Sequence, residues 1–113
     1  FAQTKARSLH RRGASNRLTR QRLQAAGIDQ DTVDSAMISL DDELGSNPQS
    51  RELRAAAAFA RRRRIGPYRA KDREANRLRD LAALARAGFA YDLARKVIDA
   101  TDLDMLSATL DEA

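Results

Sequence analysis

Leu23-Gln24-Ala25-Ala26-Gly27-Ile28 recurs further along the chain as Leu84-Ala85-Arg86-Ala87-Gly88-Phe89, and the reading of this pair decides the fold. In each stretch a run of good helix formers ends on glycine, the residue that enters a left-handed C-cap without a Cβ penalty, and an apolar residue follows. The agreement continues past the glycine: Asp31 falls on Asp92, Ala36 on Val97 and Met37 on Ile98. Upstream, Arg11-Arg12-Gly13 falls on Arg64-Ile65-Gly66. Self-similarity at this distance marks a repeated supersecondary unit. The two glycines are 14 residues apart in the first copy (Gly13 to Gly27) and 22 apart in the second (Gly66 to Gly88), so eight extra residues are expected around 69–77.

Between these glycines the chain reads as helices. Residues 1–12 contain no breaker and form a first helix that Gly13 ends; Ser15 is the natural N-cap of a second, over 16–26, with Leu18, Leu23 and Ala26 as its apolar contacts. Asp29 caps a third, in which Val33, Ala36, Met37, Leu40 and Leu44 repeat at helical spacing on one face. The turn-rich segment 45–50 reads as a linker, with Ser50 capping a fourth helix over 51–64 that turns Leu53, Ala56, Ala57 and Ala60 inward and is stopped by Gly66-Pro67. A fifth helix is expected from Asp72, as N-cap, to Ala87 with a stripe of Leu78, Leu81, Ala82 and Ala85; a sixth over 90–99 uses Leu93, Ala94, Val97 and Ile98. A short last helix follows Thr101, with Leu103, Leu106 and Leu110 on one side. The expected architecture is all-α and elongated: tandem helix-turn-helix-like three-helix repeats over 1–44 and 51–100, the linker 45–50 between them, and a C-terminal helix and tail over 101–113.

Composition agrees. The 113 residues include three Phe, two Tyr and no Trp, with apolar content mostly Ala and Leu, and no window alternates as a half-buried strand does. There is no Cys, hence neither a disulfide framework nor a thiolate metal site. No apolar run is long enough to span a bilayer, and the first residues lack a secretory apolar core, so a cytoplasmic protein without membrane contact is expected.

Charge is arranged in blocks. The formal net charge is +5, yet residues 1–26 hold seven Lys and Arg and no acid, residues 29–43 hold six acids and no base, and a second basic stretch runs from Arg54 to Arg79. Such blocks suit a polyanionic partner on one surface while the acidic segments limit indiscriminate binding. Arg61, Arg62, Arg63 and Arg64 are the densest positive charge. Four consecutive residues fan around a helix, so at least one is expected to snorkel beside the core. Their ordinary role would be to offset the helix dipole at a solvated C-terminus. As binding residues Arg11, Arg12 and Arg61 to Arg64 come first, with Arg7, Arg17, Arg20, Arg22 and Arg69 behind them.

Catalytic constellations are missing. His10 is the single histidine, sits beside Arg11 and Arg12 and reads as an exposed surface residue; no phosphate-binding glycine loop or metal-spaced cluster is present, and Asp41-Asp42-Glu43 reads as a solvated helix end. Tyr68 and Tyr91 read as core or rim packing rather than base-stacking platforms. A binding protein, without catalytic residues, metal or cofactor, is expected. A helix-turn-helix regulator is the alternative, its second helix offering Asn16, Arg17, Arg20, Gln21 and Gln24 to base edges, although the third helix is acidic on its exposed side. A nonspecific basic helical DNA- or RNA-binding module is a further one.

Taken in order, Phe1-Ala2, the Arg-rich first helix, Arg11-Arg12-Gly13-Ala14-Ser15, and Leu23 to Val33 resemble a middle repeat of the bacterial regulatory protein RecX family. Residues 57–69 and 81–92 resemble the last repeat of its alphaproteobacterial branch. The resemblance covers about residues 1–100 and implies tandem three-helix repeats that bind the RecA recombinase filament. It further implies restraint of RecA's strand exchange, ATP hydrolysis and coprotease functions, and so a part in homologous recombination, DNA repair and the SOS response. RecA would be the partner of a monomer, and single- or double-stranded DNA a second contact. The family carries three repeats and this sequence shows two.

Overall fold

The computed structural model of the chain describes residues 1–44 and 48–112, with side chains described outside 43–50 and 111–113. The described residues form α1 (Ala2–Arg11), α2 (Asn16–Ala25), α3 (Gln30–Leu44), α4 (Pro48–Arg63), a 3-10 turn (Gly66–Tyr68), α5 (Arg77–Arg86), α6 (Tyr91–Ile98) and α7 (Leu103–Glu112), and no strand. Local chemistry sets several of these ends. Ser15 Oγ accepts from the Leu18 N–H at 3.0 Å and Asp29 Oδ1 from the Thr32 N–H at 2.8 Å, each satisfying a donor that a helix start leaves open. After α2 and α5 the chain turns through Gly27 (φ 84°) and Gly88 (φ 97°), with Ile28 N–H bonded to Leu23 O at 3.2 Å and Phe89 N–H to Leu84 O at 3.1 Å. The two stretches that set the repeat therefore close their helices with one hydrogen-bond pattern.

Two cores result. Ala6, Leu23, Val33, Ala36, Met37 and Leu40 bury one cluster where α1 packs on α2 and α3. The larger cluster draws on α4, α5 and α6, including Leu53, Ala56, Ala60, Leu81, Leu84, Phe89, Ala94, Val97 and Ile98, and α7 adds Leu106. Each large aliphatic side chain wholly buried contributes about 1.5–3 kcal/mol. The alanines do something else: Ala55, Ala56, Ala57 and Ala60 of α4 are all buried, so its neighbours approach the backbone closely.

The cores meet at a tight seam. A Cβ on Gly13 would lie 2.5 Å from the Phe59 nitrogen and one on Gly88 2.6 Å from Ser15 Oγ, so neither position accepts a side chain without moving backbone or cap. Ser15 Oγ donates to Ala87 O at 2.8 Å, the Asn16 N–H donates to Glu52 Oε1 at 2.8 Å, and Arg51, 2% exposed, places Nε 2.6 Å from Asp41 Oδ1. The body measures 43 × 27 × 20 Å.

Several expectations from the sequence are corrected. α4 begins at Pro48, so 48–50 of the expected linker are helical, while 45–47 fall outside the described residues; the capping side chain proposed for Ser50 does so as well. α4 ends at Arg63 rather than at Gly66-Pro67: Arg64 takes the left-handed conformation (φ 55°) and Ile65 N–H bonds Ala60 O at 3.0 Å. The same pattern at α1 joins Ala14 N–H to Leu9 O at 2.9 Å, so Arg64, not Gly66, is the counterpart of Gly13, and the second copy is ten residues longer rather than eight. α5 starts at Arg77, because Asp72 is itself left-handed (φ 59°) and sits ahead of a run of turns instead of capping the helix. Its inward stripe is Leu81 and Leu84, while Leu78 is 75% exposed and Ala82 and Ala85 face solvent.

The extra chain is stitched down by charge. Arg69 meets Asp80 through two bonds of 2.8 and 2.6 Å, and the Gly66 N–H donates to the same carboxylate at 2.9 Å. Arg73 donates to the carbonyls of Ile98, Ala100 and Thr101 at the end of α6, and Arg77 pairs with Asp99 through both oxygens.

Candidate functional site

Of the eleven arginines that the sequence nominates, two are committed to acids among the described residues. Arg69 is held by Asp80, whose side chain is 1% exposed. Burial pushes that carboxyl up, and the hydrogen bonds from Arg69 and the Gly66 N–H, with the charges of Arg69 and Arg79, overcome it and hold the group below the usual carboxylate range. Arg20 pairs with Asp34 at 2.6 Å across α2 and α3. Arg7 reaches back to the Gln3 carbonyl at 3.5 Å, and Arg12 donates to Ser8 Oγ at 2.9 Å.

The rest stay at the surface. Arg11, Arg17, Arg22, Arg61, Arg62 and Arg64 are exposed and make no ion pair with a described residue. None of Arg61 to Arg64 is buried; Arg63 is the one that lies beside the core, with its guanidinium 5.1 Å from the ring centre of Phe59, which in turn meets Phe89 edge to face at 6.1 Å. Arg61, Arg62 and Arg63 still fan around the last turn of α4, and only Arg64 leaves it, in the left-handed conformation.

Arg64 is unusual in its backbone. A non-glycine residue in the left-handed region costs about 1–2 kcal/mol relative to the right-handed one. The counterpart Gly13 is forced by packing against α4, whereas Arg64 is exposed and no packing requires its side chain. An exposed arginine thus stands where glycine would be easier for the backbone.

Contacts gather these charges around the seam. Gly13, just after Arg11 and Arg12, touches the backbone of Phe59, which carries Arg63 on its ring. Ser15 bonds the end of α5, and the Arg17 stem lies over Gly88, which brings Arg17 and Arg86 to one cleft. Arg86 went unnoticed in the sequence although it lies inside the repeated stretch, because its first-copy counterpart is Ala25.

Other nominated residues differ from expectation. His10 is half-buried rather than a surface group; burial, then the Arg51 and Arg54 charges, hold its pKa below the ordinary imidazole value. Asp41 is tied to Arg51 instead of being solvated, and Tyr91 is 56% exposed with Arg95 5.9 Å from its ring centre. Tyr68 does pack at the rim of the larger core. Among the described residues no three His, Cys, Asp or Glu are grouped to hold a metal ion, and no helix is long and apolar enough to cross a membrane.

Comparison with known proteins adds a lineage to this geometry. Residues 1–37, which make up α1, α2 and half of α3, match the second three-helix domain of RecX. A regulatory protein RecX from Myxococcus xanthus (strain DK1622) is 43% identical over 101 residues, covering 88% of this chain and 51% of that protein. The chain belongs to the RecX family. A second RecX, from Agrobacterium fabrum (strain C58 / ATCC 33970), is 32% identical over 102 residues, covering 89% of this chain and 50% of that protein. The chain thus spans about half the length of the RecX proteins it matches. No solved structure matches.

Proposed function

We propose that this chain is a RecX-like regulator that binds the RecA recombinase or its nucleoprotein filament and restrains recombination and repair. One observation supports the reading above the others: the arginines at the ends of α1 and α4 are exposed and lack ion pairs among the described residues, in a chain of regulatory lineage. A filament presents phosphate and protein together, and two three-helix units over 1–44 and 51–100, joined across an interlocked seam, would present their cations to it as one body. The expected setting is a cytoplasmic monomer that acts by contact, with no cofactor and no catalysis.

The test is binding to RecA assembled on single-stranded DNA, followed over a salt series for the wild-type chain and for Arg61 to Arg64 replaced together by alanine. The replacement is expected to weaken binding by about tenfold or more and to flatten its salt dependence, because each neutralised phosphate steepens that dependence. Unchanged binding would overturn the role given to this run. The exposure of Arg17, Gln21 and Gln24 on α2 favours a second reading, a basic DNA-binding module. Equal binding to bare DNA and to filament would select it.

A further inference from the structure

We infer that the cleft between α2 and α5, walled by Arg17, Gln21 and Arg86, is a phosphodiester-binding site that seats a nucleic-acid backbone across the seam between the two cores. The cleft has a volume of about 260 Å³, is floored by Gly88 and carries no acidic residue in its lining. Neither Arg17 nor Arg86 makes an ion pair with a described residue.

Arg86 sits in the last turn of α5, where its ordinary use would be to cap carbonyls. Most of those carbonyls are already paired. Ala83 O accepts from the Ala87 N–H at 3.1 Å, Leu84 O from Phe89 at 3.1 Å and Ala85 O from Gly88 at 3.0 Å, while Ala87 O accepts from Ser15 Oγ at 2.8 Å. The guanidinium is left for an acceptor from outside. On the opposite wall the Arg17 stem passes over Gly88, where a Cβ would lie 3.4 Å from Arg17 Cβ and 3.6 Å from Cδ, and Arg17 lines the cleft.

Two arginines and Gln21 line one small volume, and a tetrahedral phosphate can accept from planar guanidinium forks and an amide in several directions at once. An acidic peptide is the poorer fit. Its neighbouring side chains would need apolar pockets, and the cleft offers only Leu18 and alanine methyls. No aromatic ring lines it either, so the contact reads the backbone and not the bases.

The site needs no recombinase and is tested without one. A fluorescein-labelled oligothymidylate is titrated with the wild-type chain and with Arg17→Ala, Arg86→Ala and Arg79→Ala, by anisotropy over a salt series. Arg79 is an exposed arginine of α5 outside the cleft and serves as the charge-matched control. Arg17→Ala and Arg86→Ala are each expected to weaken binding about five- to tenfold at low salt and to lower the slope of log K against log salt by about 0.7, the share of one phosphate on a single strand. Arg79→Ala is expected to change affinity less than about twofold by the same reasoning, and Arg17→Lys to recover part of the loss. Circular dichroism establishes that each variant keeps its helices. Equal losses at all three positions would overturn the site by reducing it to general charge. Unchanged oligonucleotide binding with weakened RecA binding would overturn it in favour of an acidic protein surface while leaving the recombinase reading intact. Weakened oligonucleotide binding with no RecA contact in any variant would support the cleft and remove the recombinase reading.

Discussion

Replacing Arg64 by glycine is expected to make the protein more stable and a weaker binder. Arg64 sits at φ 55° directly after α4, with Ile65 N–H closing back on Ala60 O at 3.0 Å, and it exposes its side chain. Relief of the left-handed conformation returns about 1–2 kcal/mol. Glycine gives part of it back through the larger freedom of the unfolded chain, about 0.5–1 kcal/mol. The net gain is roughly 0.5–1 kcal/mol, or about 2–5 °C in Tm for a chain of this size. Arg64→Ala separates the two effects, since alanine keeps the backbone cost and removes only the guanidinium. Thermal melts by circular dichroism should therefore rank glycine above both the wild type and alanine. Salt-series binding to RecA on single-stranded DNA should show glycine and alanine equally weakened. A glycine variant no more stable than the alanine variant would refute the strain, and unchanged binding would refute the idea that the arginine is held there for a contact.

Further outcomes follow from the ion pairs and the seam. Arg69→Ala strands the buried Asp80 carboxylate and should cost about 3–5 kcal/mol in denaturant unfolding, which marks Arg69 as structural; loss of binding without loss of stability would contradict this. Gly13→Ala meets both a φ of 85° and the Phe59 backbone at 2.5 Å, whereas Gly27→Ala meets a φ of 84° and nothing within 4 Å. Gly27→Ala should thus cost about 1–2 kcal/mol and Gly13→Ala about 1–3 kcal/mol more, with a less cooperative melt, and equal costs would speak against a tight seam. His10 has a folded pKa below its unfolded value, so the unfolded chain takes up the proton first and stability should fall as pH drops through about 6.5 and level off below the folded pKa. His10→Gln should remove that slope; an unchanged profile would place its origin elsewhere.

What the sequence revealed was whatever depends on neighbours along the chain. Ser15, Gly27 and Asp29 act within three or four residues, and each does what its chemistry foretells. The stripe Val33, Ala36, Met37 and Leu40 is buried because a single helix face meets a single core. The failures lie where distant residues decide. Leu78 looks like core by periodicity but is 75% exposed because the inward face of α5 carries Asp80, Leu81 and Leu84, and Asp80, which looks like surface, is buried because Arg69 and the Gly66 N–H satisfy it. The alignment of Gly66 with Gly13 followed residue identity, whereas the backbone placed Arg64 in the left-handed turn.

The proposed binding surface was legible in part for the same reason. Charge density located Arg11, Arg12 and Arg61 to Arg64, all of which are exposed. Composition could not separate Arg20 and Arg69, engaged by Asp34 and Asp80, from cations that remain available, because their partners lie 14 and 11 residues away. Nor could it find Arg86, whose cleft exists only once α2 and α5 are brought together.

The most direct measurement is RecA's single-strand-dependent ATP hydrolysis, followed as this chain is added and compared with the chain's binding to the same DNA alone. A recombinase regulator predicts inhibition at chain concentrations too low to coat the DNA. Hydrolysis that stays constant until the DNA is saturated would contradict it, and would leave a protein that competes for the strand rather than one that acts on the filament.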